Sequence, residues 1–132
     1  MERLNQRLAV ARRALATLEE LTVIETPTKV ERDAAIQRFE YTVEAGWKAA
    51  QAVLAEAFGL DLASPKPVIR ACVQNGLLTE EDARNALVMI DDRNLTAHTY
   101  NEDVAQAIHS RLEGHAALLG RWLGALENTR NL

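Results

Sequence analysis

Apolar residues recur along this chain at helical intervals, and polar punctuation divides the pattern into five segments. Leu4, Leu8, Ala11, Leu15 and Leu18 alternate spacings of four and three within residues 2–24, the narrow seam of a coiled-coil-type helix. Thr26-Pro27 breaks it. Thr28, with Glu31 three residues on, forms a capping box that opens a second helix. Its stripe is Ile36, Phe39, Val43, Trp47, Ala50, Leu54 and Phe58, and Gly59 is its stop. At 1.5 Å per residue, about 30 residues make a rod of about 45 Å. Such a rod is expected to span a bundle and to carry more apolar surface than one protomer can cover.

Two shorter helices follow. Ser64-Pro65 is a cap with proline at the first helical position, Ile69, Cys72 and Val73 are the expected inner face, and Asn75-Gly76 is the end. Thr79, followed by Glu80, Glu81 and Asp82, caps the fourth helix, with Ala83, Ala86, Leu87 and Ile90 facing inward. Asn101 caps the last one, with Glu102 and Asp103 in its first turn and a stripe of Val104, Ile108, Leu112, His115, Leu119, Trp122 and Leu126. No strand pattern, internal repeat or low-complexity linker interrupts these segments. The expectation is an all-α antiparallel bundle of about five helices, three long and two short, forming one domain over residues 1–132. The surplus apolar surface predicts a homodimer.

Composition agrees with helices. Of the 132 residues 48% are hydrophobic but only 5% aromatic, so the apolar content lies in Ala, Leu, Val and Ile rather than in the rings a β-sandwich would favour. The net charge of −4 argues against a broad nucleic-acid-binding surface, so any such partner must be gripped locally. A basic face, if one forms, draws on Arg3, Arg7, Arg12 and Arg13 of two protomers. One cysteine, Cys72, excludes an intrachain disulfide and a cysteine metal cluster, and the three histidines lack zinc spacing. No metal or cofactor is expected. The chain opens on a polar-laced helix rather than a signal peptide, and no apolar run reaches membrane-spanning length, which predicts a cytoplasmic protein without membrane contact.

One stretch carries a different chemistry: Asp91-Asp92-Arg93-Asn94-Leu95-Thr96-Ala97-His98-Thr99-Tyr100. Arg93 offers a planar five-donor fork suited to phosphate oxygens. His98 takes or gives a proton near neutral pH. If the fourth helix continues through it, Asn94 and His98 share a face, while Asp91 or Asp92 could orient Arg93 or hold a histidine tautomer. Tyr100 falls between the apolar stripes and is expected at an exposed junction. The alternative is a solvated helix-end cluster in which His98 merely caps. Elsewhere, His115 reads as a satisfied core histidine, His109 as solvent-facing, and Trp47 and Trp122 as packing. Glu40, Glu44 and Lys48 read as a solvated face with local ion pairs.

Arg93-Asn94-Leu95-Thr96-Ala97-His98-Thr99-Tyr100 resembles the R-x4-H-x-Y signature of the HEPN toxins paired with minimal nucleotidyltransferases. The resemblance takes in Arg38-Phe39-Glu40-Tyr41-Thr42-Val43-Glu44, Trp47-Lys48, Ser64-Pro65, Val68-Ile69-Arg70 and Gly76-Leu77, and covers about residues 30 to 125. It is similar to the branch called nucleotidyltransferase substrate-binding proteins. That resemblance implies a homodimer with Arg93 and His98 of both protomers in one cleft. It implies a metal-independent endoribonuclease toxin of a type VII-like toxin–antitoxin pair, acting on RNA and neutralised by a cognate nucleotidyltransferase. Arg93 would bind the scissile phosphate and His98 would act as general base or acid, supported by Asn94, Asp92 and Thr96. Tyr100 matches the tyrosine that such partners adenylylate. The branch name leaves open a second reading, a non-catalytic substrate-binding subunit of a two-component nucleotidyltransferase.

Overall fold

The computed structural model describes residues 2–129, and every regular element in them is helical: α1 (Glu2–Thr22), α2 (Lys29–Phe58), α3 (Pro65–Gln74), α4 (Glu80–Leu95), a single 3₁₀ turn at Thr96–His98, and α5 (Glu102–Thr129). The boundaries follow local chemistry. The Thr28 hydroxyl accepts from the Glu31 amide at 3.1 Å while the Glu31 carboxylate accepts from the Thr28 amide at 2.9 Å, closing the expected capping box. Gly59 ends α2 with φ of 65°, a left-handed conformation that glycine adopts without steric cost. Thr79 Oγ1 accepts from the Asp82 amide, and Asn101 Oδ1 accepts from the Asp103 and Val104 amides. Ser64 precedes α3 but makes no side-chain capping bond there; Pro65 at the first position carries the start instead.

The three long helices form the frame. α1 runs antiparallel to α2, with the Arg38 guanidinium donating to the Thr17 carbonyl at 2.7 Å and Tyr41 bonded to the Thr17 hydroxyl at 2.6 Å. α5 returns antiparallel to α1, held by Arg12 on Glu127 at 2.7 Å. It lies parallel to α2, where Phe39 stacks on His115 with ring centres 5.3 Å apart. Gly46 permits that approach, because an added Cβ would stand 3.2 Å from Leu119 Cδ2. α3 and α4 close the remaining side, and Lys66 of α3 pairs with Asp91 of α4 at 3.0 Å.

One continuous core results. All five seam residues of α1 are buried, as are Ile36, Phe39, Val43, Trp47, Ala50 and Leu54 of α2. Among the stripe residues only Phe58, at the end of the rod, is exposed, so the stripes are covered within the single chain against the expectation of a large surplus, while Val10, Val30 and Tyr41 stand exposed beside them. Each stripe of the long frame faces two neighbours rather than one, and that is where the coverage comes from. The short helices are rotated slightly from expectation. Val68 and Ala71 are buried where Val73 is half-buried, and Met89 is buried where Leu87 is half-buried. No described helix is long and apolar enough to cross a membrane.

Candidate functional site

The candidate residues lie where α4 ends. After Leu95 the chain tightens into the 3₁₀ turn, with the Thr96 amide and hydroxyl both returning to the Arg93 carbonyl, the latter at 2.7 Å. The Thr99 hydroxyl donates to the Thr96 carbonyl at 3.2 Å, and the Asn101 amide to the His98 carbonyl at 3.0 Å. These bonds fix the backbone and leave the side chains of Asn94, His98 and Tyr100 exposed. The helix does not continue through the motif, so Asn94 and His98 do not share a helical face. Thr96 holds the turn rather than projecting from it.

Arg93 points back onto α2. Its Nη2 lies 2.9 Å from Glu44 Oε1, and its side chain is about one-third exposed. Glu44 also approaches Lys48, with Nζ 3.8 Å from Oε2, so one carboxylate sits between two cations. The Arg93 Nε is buried with no hydrogen-bond partner. With Nε buried and Nη2 on Glu44, the donors that the fork keeps for an incoming anion are those of its Nη groups. Glu44 is the residue that sequence reasoning misses. The pattern places it on a solvated face, and its i,i+4 relation to Lys48 carries no hint of a partner on α4.

His98 stands at the exposed corner. Its Nδ1 lies 3.4 Å from the Tyr100 hydroxyl, and the two rings meet edge-on at 5.9 Å between centres. Tyr100 is 85% exposed, in keeping with its place between the apolar stripes. Among the described residues no hydrogen bond or ion pair links Arg93 to His98.

Asp92 and Asp91 do not orient Arg93. Asp92 turns inward and is 2% exposed. It accepts from Arg111 Nε and Nη2, both at 2.7 Å, and from His115 Nε2, also at 2.7 Å. A carboxylate only accepts, so this contact puts the His115 proton on Nε2. The tautomer-holding role expected of an aspartate is met, but on His115 rather than His98. Burial pushes the Asp92 carboxyl up, yet the hydrogen bonds and charges of Arg111 and His115 outweigh it and hold the carboxyl below its ordinary value. Asp91 is bound to Lys66 on the surface. His109 is half-buried rather than solvent-facing, and burial, with Arg32 nearby, lowers its pKa.

Trp47 and Trp122 are core residues, as expected. Burial pushes the Cys72 thiol up to about 11, opposed only by the Trp122 indole. No group of three or more potential metal ligands gathers among the described residues.

A helical bundle with a polar helix-end site defines the class, and comparison with known proteins narrows it. The chain belongs to the family described as nucleotidyltransferase substrate binding protein like, whose model matches residues 6–128. A crystal structure of a Thermus thermophilus protein is 60% identical, with a TM-score of 0.86 over 88% of this chain and 98% of that one. Two toxin–antitoxin crystal structures share the fold at low identity. A mutant of MntA-HpeT has 14% identity and a TM-score of 0.79, covering 97% of this chain and 99% of that one. The other, a toxin–antitoxin with AMP-PNP, has 13% identity and a TM-score of 0.70, covering 93% of this chain and 96% of that one. No curated protein matches the chain.

Proposed function

We propose that this chain is a single HEPN-type domain that works as a metal-independent endoribonuclease, toxic to its cell and neutralised by a partner nucleotidyltransferase. The observation that carries this reading is the exposed corner at the end of α4. There His98 and Tyr100 face solvent together, and the Arg93 fork is held at one corner by Glu44. Arg93 binds the scissile phosphate and stabilises the charge that builds on its oxygens. His98 takes the proton from the ribose 2′-hydroxyl. The 2′-oxygen then attacks phosphorus, and the 5′-oxygen leaves and gains a proton, so that a 2′,3′-cyclic phosphate remains. In a homodimer whose two copies share a cleft, the second His98 gives that proton. Asn94 stands exposed beside the phosphate position, while Asp92 and Thr96 support the site from beneath by fixing the end of α4.

Tyr100 gives the partner its handle. Transfer of adenylate from ATP to the exposed hydroxyl, with release of pyrophosphate, puts a negative charge next to His98 and in the path of the RNA phosphate. The AMP-PNP in one of the toxin–antitoxin neighbours fits a partner that uses ATP.

The family description fits about equally well a second reading, in which the bundle holds substrate for a nucleotidyltransferase and cleaves nothing. Incubating the purified chain with total cellular RNA and EDTA separates the two. The ribonuclease reading expects cleavage, with cyclic or 3′-phosphate ends on the 5′ fragments. Intact RNA, together with stimulation of the partner's nucleotidyl transfer, establishes the subunit reading instead. For Tyr100, the partner with ATP and magnesium should add one adenylate, mapped by mass spectrometry. Equal neutralisation of wild type and Tyr100→Phe contradicts the modification.

A further inference from the structure

We infer that the groove between the N-terminal half of α1 and the middle of α2 is a track for the phosphodiester backbone of single-stranded RNA, leading to Arg93; this rests on the ribonuclease reading. The groove has a volume of about 360 Å³ and is lined by Arg3, Gln6, Arg7, Val10, Ala45 and Lys48. Three of the six are cations. Arg3 and Arg7 lie one helical turn apart, about 6 Å, on α1. Neither has a carboxylate within ion-pair distance among the described residues, whereas Arg12, expected to join them, is held by Glu127.

Continuity with the site comes through Glu44. Its carboxylate touches Lys48, which lines the groove, and Arg93, which anchors the site, so the groove and the site adjoin on one side of α2. Three cations and Arg93 outnumber the one carboxylate among them. At the other end the charges balance. The adjoining depression, also lined by Arg3 and Arg7, adds Glu56 and Asp61. Positive charge is thus concentrated on the stretch that approaches Arg93, in a chain whose net charge is −4. The groove's described lining holds no aromatic ring on which a base could stack, and Val10 and Ala45 form an apolar floor. Separate long cations one turn apart over such a floor suit repeated single charges on a backbone and do not read base identity.

The test uses the full chain and a fluorescent single-stranded 2′-deoxy oligonucleotide of about twelve nucleotides, which the proposed chemistry cannot cleave. Arg3→Gln and Arg7→Gln should each weaken binding. Each should also reduce the slope of log K against log salt by about 0.7, and the double variant by about 1.4. Circular dichroism confirms folding, and the single variants keep the test valid if the double variant unfolds. Wild-type affinity and slope in all three variants overturn the track, while RNA cleavage by the wild type still upholds the ribonuclease reading. Loss of oligonucleotide binding in the variants of a wild type that cleaves no RNA upholds the track and rejects that reading. Unchanged oligonucleotide binding with lost association of the partner nucleotidyltransferase also overturns it, making the groove a protein-docking surface.

Discussion

Asp92 and Arg93 are neighbours in sequence and opposite in circumstance. Asp92 is buried and accepts three hydrogen bonds from Arg111 and His115, and His115 is stacked on Phe39. Arg93, one residue on, is tied to Glu44 at one corner and keeps a buried Nε without a partner, and the exposed His98 and Tyr100 follow it in the chain. The first arrangement is closed, with acceptors and donors matched between α4 and α5. The second is open, with donors left over. A buried, matched network contributes order, and a partly matched one at a surface is where a ligand gains most. The bundle thus has two histidine sites, and burial and pairing separate their roles more clearly than the residue types do.

Breaking the closed arrangement should have the largest effect. Asp92→Ala leaves the buried His115 without its acceptor, while Arg111, 41% exposed, regains water, so the cost should be about 2 kcal/mol. A lowered urea midpoint measures this, and a loss under about 1 kcal/mol would show that α4 and α5 hold together without the network. Breaking the open arrangement should leave stability unchanged and reduce chemistry. Arg93→Lys keeps the charge but loses the fork, so RNA cleavage should fall about a hundredfold. A comparable drop in thermal midpoint instead would make Arg93 a structural residue.

Acid sharpens the contrast. The folded Asp92 carboxyl lies below its ordinary value, so its stabilisation is fully present above the unfolded pKa of about 3.9 and is lost as pH falls through the folded value. The stability gap between wild type and Asp92→Asn should hold near neutral pH and narrow below about pH 4. A gap that widens there contradicts the assignment. Cys72, with its thiol pushed up to about 11, should resist alkylation in the native chain at about pH 8 and react once urea unfolds it. The smallest effect belongs to Asp91. Its pair with Lys66 is exposed, so Asp91→Ala should cost less than about 1 kcal/mol by the same urea measurement.

Local signals in the sequence carried most of the fold. The Thr28–Glu31 box, the left-handed Gly59 and the Asn101 cap each act within a few residues, and each helix opens or closes where they stand. The α1 seam and most of the α2 and α5 stripes are legible because one apolar face per helix is a periodic property. Coverage of those faces was not, since it depends on how α1, α2 and α5 wrap one another. The motif from Arg93 to Tyr100 could be read off, but its pairings could not. Glu44 stands 49 positions before Arg93, and Arg111 stands 19 after Asp92. Nothing in spacing announces that the first aspartate of the pair faces Lys66 while the second is drawn inside. Only the packing of α4 against α5 decides that.

The most direct test compares the two histidine sites in one experiment. RNA cleavage in EDTA and thermal midpoint are measured for wild type, His98→Ala and His115→Ala. An exposed general base or acid at His98 predicts a loss of cleavage of at least about a hundredfold with an unchanged midpoint, while His115→Ala lowers the midpoint. Full cleavage by His98→Ala, or a midpoint that falls as far as in His115→Ala, would contradict the division between an open chemical site and a closed structural one.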